Sequence, residues 1–277
     1  YYRVADGIDK IVLNSDGGTQ KWYYYSTWPD GDHDKKTAFS GHFDGNGVTI
    51  VGLYGSGNYH AHLGFIPYVQ NSDVTVENVK FDKANISTAS DTRTDMGSAV
   101  VIGNYNTNAA TKITVNNVSV VNSTVQDYTA GVIVGQMRVT ADVAPTVKIN
   151  NIATANNTIV GNSAVTQGVL FGVCSLWSGG TSVQMSNIIL ADSVQFAGSN
   201  SAALGNAASY PFVSYKNVYT AGSKPSEEYA YTGVTFGVDV ETIKGATAMT
   251  TADTIAWGKD FVAITDALPE LAIFHNL

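Results

Sequence analysis

The chain has 277 residues and a net charge of −8, with only 14% charged residues and 44% hydrophobic residues. Because nucleic acid and anionic membrane surfaces repel such a chain, we expect neither as a partner. No apolar run reaches the roughly 18 residues of a membrane span, so this segment is not expected to insert into a membrane. The single cysteine, Cys174, allows no disulfide framework, and its apolar neighbours favour a role as a small core residue.

The first distinctive segment is an aromatic run near the N-terminus, Trp22-Tyr23-Tyr24-Tyr25, with Trp28 close behind. In a strand, Trp22 and Tyr24 share one face. Flat aromatic rings suit the apolar faces of sugars, so Trp22, Tyr24 and Trp28 are the candidate ligand-binding residues. The alternative is that both faces of this strand are covered, one by the rest of the fold and one by a capping loop.

An acidic cluster follows, with Asp30, Asp32 and Asp34 at alternating positions. Three carboxylates spaced in this way can face one point, as the oxygen ligands of a calcium ion do. The segment is not an EF-hand, because Lys35 stands where that motif has Gly and Gly41 where it has Glu. The three Asp residues are therefore candidate metal ligands, with calcium as the suggested cofactor. The alternative is a solvated surface loop, the usual role of a short acidic run.

The next segment contains Asp44-Gly45-Asn46-Gly47. These residues tolerate positive φ and bond their own backbone, so they predict a tight turn between two strands.

Beyond this point the chain repeats one pattern with a period in the thirties. Each repeat has a Gly-rich apolar run and then an alternating strand that ends in Asn. A period of this length indicates a solenoid, in which each unit stacks on its neighbours. Because the repeats hold Val, Ile, Thr, Asn and Gly, the units are short strands and turns, and we expect the Asn amides to form a ladder. The glycines are Gly64, Gly103, Gly135, Gly172 and Gly205, and the Asn anchors are Asn78, Asn117, Asn151, Asn187 and Asn217.

The stretch from Phe39 to Tyr54, F-S-G-H-F-D-G-N-G-V-T-I-V-G-L-Y, resembles the opening of the β-helical regions in bacterial cell-surface proteins with GLUG-type repeats. Such regions also precede the protease domain of immunoglobulin A metalloproteases. Residues 130–135 and 167–172 resemble the G-G-L-V-G element of these repeats, although Ala and Gln replace its first Gly, and residues 268–271 resemble the P-x-L that often ends them. The resemblance covers residues 37 to 277 and implies a right-handed β-helix on a secreted or wall-anchored bacterial protein. It implies no reaction.

Other candidate sites are weaker. His60 and His62 can share one side of a strand, but two imidazoles fall short of the three or four ligands of a zinc site. The chain contains no G-x-S-x-G, H-E-x-x-H or P-loop motif. A hydrolase or lyase on this scaffold would draw on the acidic and basic residues near the second repeat, which are Asp73, Glu77, Asp82, Asp91, Arg93 and Asp95.

Residues 229–277 lose the repeat pattern. We expect irregular structure there and a cap, in which Trp257, Phe261 and Leu271 cover the last rung of the solenoid.

These observations predict a single all-β domain, a right-handed parallel β-helix of about six rungs with caps at both ends. Residues 1–38 form the N-terminal strand, cap and aromatic-acidic loop, residues 39–228 the rungs, and residues 229–277 the C-terminal cap. The expected function is a non-catalytic, monomeric adhesion or ligand-binding module, secreted or cell-wall-anchored, that binds a glycan or a host surface protein. Two alternatives stay open: a polysaccharide lyase or glycoside hydrolase, and a structural stalk that presents another domain.

Overall fold

The computed structural model describes residues 1–22, 38–57, 62–88, 97–139, 143–161, 168–176, 181–192, 213–222, 231–239, 248–250, 254–256, 261–262 and 270–275. These residues form an all-β protein in which three parallel sheets stack as a β-solenoid. The predicted all-β class and the parallel stacking of the repeats are confirmed.

Each turn of the solenoid contributes one long strand and two shorter strands. In chain order the strands are β1 (Tyr2–Arg3), β2 (Lys10–Val12), β3 (Gly41–Val51), β4 (Tyr54–Gly57), β5 (Ile66–Gln70), β6 (Val74–Asp82), β7 (Asn85–Thr88), β8 (Ile102–Thr107), β9 (Lys112–Val121), β10 (Thr124–Asp127), β11 (Val134–Val139), β12 (Thr146–Ala155), β13 (Thr158–Gly161), β14 (Phe171–Leu176), β15 (Ser182–Leu190), β16 (Val213–Thr220) and β17 (Val234–Thr235). Four short strands and one helical turn follow, namely β18 (Ala248–Thr250), β19 (Thr254–Ala256), β20 (Phe261–Val262), β21 (Glu270–Leu271) and the turn Ala272–His275.

The three sheets differ in the number of strands. The long sheet has nine strands in the order β1-β3-β6-β9-β12-β15-β16-β17, with β2 also paired to β3. The second sheet holds β4, β7, β10 and β13, and the third holds β5, β8, β11 and β14, so the solenoid has about four complete turns. The expected count of about six came from the Asn anchors. Those anchors all lie in the long sheet, where β3, β6, β9, β12, β15 and β16 form six successive levels, here numbered 1 to 6.

The core is a narrow tube filled by the inward side chains of the three sheets. Val76, Val115, Ile149 and Met185 occupy one position in four successive levels, and each is at most 1% exposed. The first three are β-branched, so they lose little rotamer freedom in a strand, and all four bury most of their apolar area. The alternating sequence of each long strand therefore accounts for its inner face.

The Asn anchors form a hydrogen-bonded ladder along the long sheet, as predicted. All five have left-handed backbone conformations with φ between 51° and 57°. Each side-chain amide Nδ2 donates to the side-chain oxygen one level earlier, at 2.9 to 3.1 Å, and the lowest, Asn78, donates to Asp44 Oδ1. The ladder therefore has a direction and ends in a carboxylate. Its residues in order are Asp44, Asn78, Asn117, Asn151, Asn187 and Asn217.

The Asp44-Gly45-Asn46-Gly47 motif lies inside a strand, so the prediction of a turn between two strands is wrong. β3 runs continuously from Gly41 to Val51, and its register with β6 shifts between Asp44 and Val48. Two extra residues of β3 lie between these pairs, and positive φ at Asn46 (53°) and Gly47 (87°) accommodates them, as in a β-bulge. The same residue properties that favour a turn also favour a bulge.

Glycines recur in the third sheet where neighbouring turns approach most closely. A Cβ on Gly135 would lie 2.5 Å from the Gly103 carbonyl oxygen, and one on Gly172 would lie 2.5 Å from the Gly135 carbonyl oxygen. The repeat pattern assigns Gly64 to this row, but the register places Pro67 there, because Ile66 pairs with Ile102. Gly205, the last member expected, lies outside the described residues.

The C-terminal part of the chain packs against the side of the solenoid. We define β20, β21 and the helical turn Ala272–His275 as the C-terminal strap. Phe261 and Leu271 are 6% and 1% exposed, and they pack on the outer face of the long sheet against Ala155, Ile189 and Tyr219.

The strap also runs back towards the first level. β21 contacts β9 and β12, Glu270 forms an ion pair with Lys80 of β6 at 2.6 Å, and the helical turn contacts β3. The expected packing role of Phe261 and Leu271 is thus present, but the surface that they cover is the outer face of the sheet. Trp257 lies outside the described residues.

Candidate functional site

The Asn ladder divides the outer face of the long sheet into two halves. The covered half follows the anchors in each strand and lies under the C-terminal strap. The open strip precedes the anchors and consists of two rows of outward side chains that are exposed or half-buried. The first row is His42, Thr75, Thr114, Lys148, Gln184 and Ser214, and the second is Glu77, Asn116, Asn150, Ser186 and Lys216.

In the middle of the open strip the second row is uncharged and internally hydrogen-bonded, and the first row carries the exposed Lys148. Asn150 Nδ2 donates to Asn116 Oδ1 at 3.0 Å, and Ser186 Oγ donates to Asn150 Oδ1 at 2.6 Å. An Asn side chain offers two N–H donors and two acceptor sites, so these bonds leave capacity for a ligand or water. The strip therefore presents a flat array of amide and hydroxyl groups.

The N-terminal end of the strip carries a denser cluster, here called the strip head, which consists of Tyr1, Arg3, His42, Asp44 and Glu77. Because β1 pairs with β3 in parallel, with Tyr2 beside Phe43 and Arg3 beside Asp44, the N-terminal residues extend the two rows by one level. His42 Nε2 lies 2.6 Å from Glu77 Oε1, and the Tyr1 ring meets the His42 ring edge-on at 4.5 Å.

Asp44 is the acceptor at the centre of this cluster. Its Oδ1 accepts from Asn78 and from the Asn46 backbone N–H, both at 2.9 Å, and its Oδ2 accepts from the Tyr1 hydroxyl at 3.1 Å. Arg3 Nε lies 3.4 Å from the same Oδ2. Burial raises the pKa of Asp44, but these hydrogen bonds and the Arg3 charge outweigh it and hold the pKa below its ordinary value. Asp44 is therefore a fixed carboxylate that ends the ladder, and a poor proton donor.

Trp22, the first residue of the predicted aromatic face, is half-buried. Its indole Nε1 donates to the Phe65 carbonyl oxygen at 3.2 Å, its ring stacks on Phe65 with centroids 5.5 Å apart, and its backbone N–H donates to Tyr54. Phe39, on the other side of the acidic cluster, donates its backbone N–H to Tyr68. The two ends of segment 23–37 are thus attached to the second and third sheets.

The remaining predicted site residues, Tyr24, Trp28, Asp30, Asp32 and Asp34, lie outside the described residues.

The weaker candidates are not brought together. In the described part, Asp73 accepts from the Lys112 backbone N–H and Asp82 accepts from Asn122, at opposite ends of β6, while Glu77 faces His42 between them. His62 is 5% exposed and stacks on Tyr68, and His60, Asp91, Arg93 and Asp95 lie outside the described residues. Among the residues that the structure describes, no three His, Cys, Asp or Glu side chains are grouped to hold a metal ion.

The sequence does contain a signal for the open strip. The second row consists of the residues immediately before the Asn anchors, and each of them is polar. The Tyr1, Arg3 and His42 contacts could not be found in this way, because they depend on the pairing of β1 with β3.

No protein-family model, no curated protein and no solved structure matches this chain. In the described part of the chain, no helix is long and apolar enough to cross a membrane.

Proposed function

We propose that this chain is a non-catalytic ligand-binding module of a bacterial surface protein, secreted or wall-anchored, and that it binds glycans. One observation carries the choice of a binding module over a stalk, namely the contrast between the two halves of the outer face. The strap packs on the half that follows the Asn anchors, and the open strip and the strip head stay accessible with their polar side chains.

The enzymatic alternative draws less support from the geometry. A lyase or hydrolase needs an acid and a base that converge on one groove. The His42–Glu77 pair lies on an open face, and the neighbouring Asp44 is held ionised by Asn78, Tyr1 and Arg3.

Within this proposal, Trp22, Tyr24 and Trp28 form an aromatic sugar-binding face, and Asp30, Asp32 and Asp34 bind calcium beside it. The packing of Trp22 on Phe65 supports an anchoring role for that ring and leaves Tyr24 and Trp28 as the ligand-facing members. The three carboxylates would then fix the loop, because calcium ligation orders the backbone that supplies its oxygens.

The finer architecture belongs to the same proposal. Right-handed winding is the expected hand, since parallel strands joined by a crossover in one sheet are right-handed in about 98% of cases. Six rungs follow if β15 and β16 each begin a full turn, as the stacking of six long strands suggests. The resemblance to GLUG-type repeats supports the assignment to a bacterial cell surface.

The test is binding to an array of immobilised glycans, in calcium and again with a chelator. The proposal predicts a specific signal that Trp28→Ala abolishes. Asp30→Asn, Asp32→Asn and Asp34→Asn should each weaken it in calcium to the level seen with chelator. An array without any signal in calcium would contradict glycan binding, and binding unaffected by both chelator and the Asp variants would remove calcium from the account.

A further inference from the structure

Exposed aromatic rings are rare in the part of the chain that the structure describes. Among the described residues, Tyr1 and Tyr2 are the only aromatic side chains on the exposed surface, at 72% and 63%. They are adjacent in the chain, and Tyr1 lies at the strip head. A sugar-binding surface needs an accessible ring with polar groups around it, and Tyr1 at the strip head meets that requirement.

The Tyr1 ring is held in place before any ligand arrives. Its hydroxyl donates to Asp44 Oδ2 at 3.1 Å, and its edge packs against the His42 ring at an interplanar angle of 86°. These two contacts fix the hydroxyl end and one edge of the ring, and most of its surface stays open to solvent. Binding to a ring that is already fixed costs little side-chain entropy.

The polar groups around the ring are also fixed. Arg3 contacts Asp6 at 3.0 Å, Asp44 at 3.4 Å and Asn46 at 2.7 Å, so its guanidinium plane is held by three partners. Glu77 is held by His42. Arg3 and Glu77 side chains are still 43% and 24% exposed, so one can donate to a hydroxyl group and the other can accept from one.

The charges around the ring select among sugars. The Arg3 guanidinium contacts the carboxylates of Asp6 and Asp44, and a third carboxylate, of Glu77, lies beside Asp44 in the next strand. A uronic or sialic acid would bring a further negative charge to a guanidinium that is already paired. A neutral pyranose brings an apolar face for the ring and hydroxyl groups for Arg3 and Glu77, without that repulsion.

We infer that the strip head is a binding subsite for a neutral pyranose unit, distinct from the Trp22–Asp34 segment. This inference rests on the proposed glycan-binding function and adds a second point of contact. A chain that occupied the strip head would continue along the open strip, where amide and hydroxyl groups recur at about 4.8 Å, the spacing of neighbouring strands.

The experiment measures binding of the complete chain to an array of immobilised neutral, aminated and acidic oligosaccharides. Tyr1→Ala should weaken binding to the neutral ligands about tenfold, the loss expected for one ring contact. Tyr1→Phe keeps the ring and loses only the bond to Asp44, so its affinity should stay within about twofold of the parent. Glu77→Gln should weaken binding, because an amide is a poorer acceptor than a carboxylate.

Gln126→Ala, at an exposed position of β10 in the second sheet and outside the open strip, is the positional control, and it should leave binding unchanged. Thermal unfolding of each variant checks that the fold is retained.

If the parent binds neutral glycans and Tyr1→Ala binds them equally well, the strip head is not a subsite, while the proposed function stands. If acidic glycans bind most tightly through Tyr1, the inferred sugar class is wrong. If the parent binds no glycan at all, both proposals fail.

Discussion

The two halves of the outer face belong to the same strands and differ in what covers them. Before each Asn anchor, outward side chains such as Thr114, Lys148 and Gln184 are polar and face solvent. After it, the outward positions hold Ala155, Ile189 and Tyr219, which are at most 9% exposed under the strap. A strict apolar–polar alternation thus marks a face open to water, and a continuous apolar run such as Ile188-Ile189-Leu190 marks a strand that is covered on both faces.

The largest loss of stability is expected for substitutions where the covered half meets the strap. Leu271→Ala should lower the free energy of unfolding by about 3 kcal/mol, because it removes a buried side chain and leaves a cavity. The matched variant on the open strip, Gln184→Ala, should change it by no more than about 0.5 kcal/mol. Urea unfolding followed by circular dichroism measures both. Equal effects at the two positions would mean that the strap does not cover the sheet in solution.

The next largest loss of stability is expected at the Asn ladder that separates the two halves. Asn117→Ala should cost about 2 kcal/mol, since it removes the bonds to Asn78 and Asn151 and places at a φ of 51° a residue that tolerates this conformation less well than Asn. Asn117→Gly removes the same bonds but tolerates that φ, so it should cost about half as much. The difference between the two variants in urea unfolding separates backbone strain from hydrogen bonding. A full-sized loss in the Gly variant would assign the whole effect to the amide ladder.

The carboxylate at the end of the ladder predicts a dependence on pH. Because the pKa of Asp44 is lower in the folded chain than in the unfolded chain, its contribution is present above the unfolded pKa and is lost as pH falls through the folded pKa. At pH 7, Asp44→Asn should therefore be less stable than the parent by about 1 kcal/mol, the net value of a hydrogen bond. The gap between the two proteins should close in strong acid. A gap that stayed constant from pH 7 to pH 2 would rule out the charge of Asp44 as its cause.

The smallest effect is expected at the ion pair that ties the strap to level 2. Lys80 and Glu270 side chains are 24% and 27% exposed, so solvent screens part of their attraction. A double-mutant cycle with Lys80→Met and Glu270→Gln should give a coupling energy of about 0.5 kcal/mol, reduced by salt. A coupling of zero at low salt would show that Phe261 and Leu271 hold the strap without help from this pair.

The solenoid itself could be predicted from the sequence, because its signals are local. The spacing of Asn78, Asn117, Asn151, Asn187 and Asn217 gives the period, and the alternation before each Asn gives the inner face. The left-handed conformation of these anchors agrees with the known tolerance of Asn for positive φ. The conformation of Asp44-Gly45-Asn46-Gly47 could not be predicted from local sequence, because the same residues suit a turn and a bulge. Only the pairing with β6 decides between the two.

The strap and the strip head depend on contacts between residues far apart in the chain. Lys80 meets Glu270 across 190 positions, and no repeat or spacing in the sequence connects them. Tyr1 and Arg3 reach Asp44 only because β1 pairs with the ladder strand, a two-residue contact without a pattern of its own. The apolar run at Ile188-Ile189 fits a strand that is covered on both faces, but it does not identify the segment that covers the outer face.

The most direct test of the account is the distance from the strap to the two ends of the solenoid. One pair of spin labels, on cysteines introduced at His275 and Asp9 in a Cys174→Ser background, measures the distance from the strap to the first level. Asp9 marks this level because its carbonyl oxygen accepts from the Thr49 backbone N–H of β3. A second pair, at His275 and Ser214, measures the distance from the strap to level 6. The account predicts the first distance to be the shorter, with the second longer by up to about 24 Å, five spacings of about 4.8 Å. A shorter distance to Ser214 than to Asp9 would place the strap at the far end of the solenoid and contradict its return to the first level.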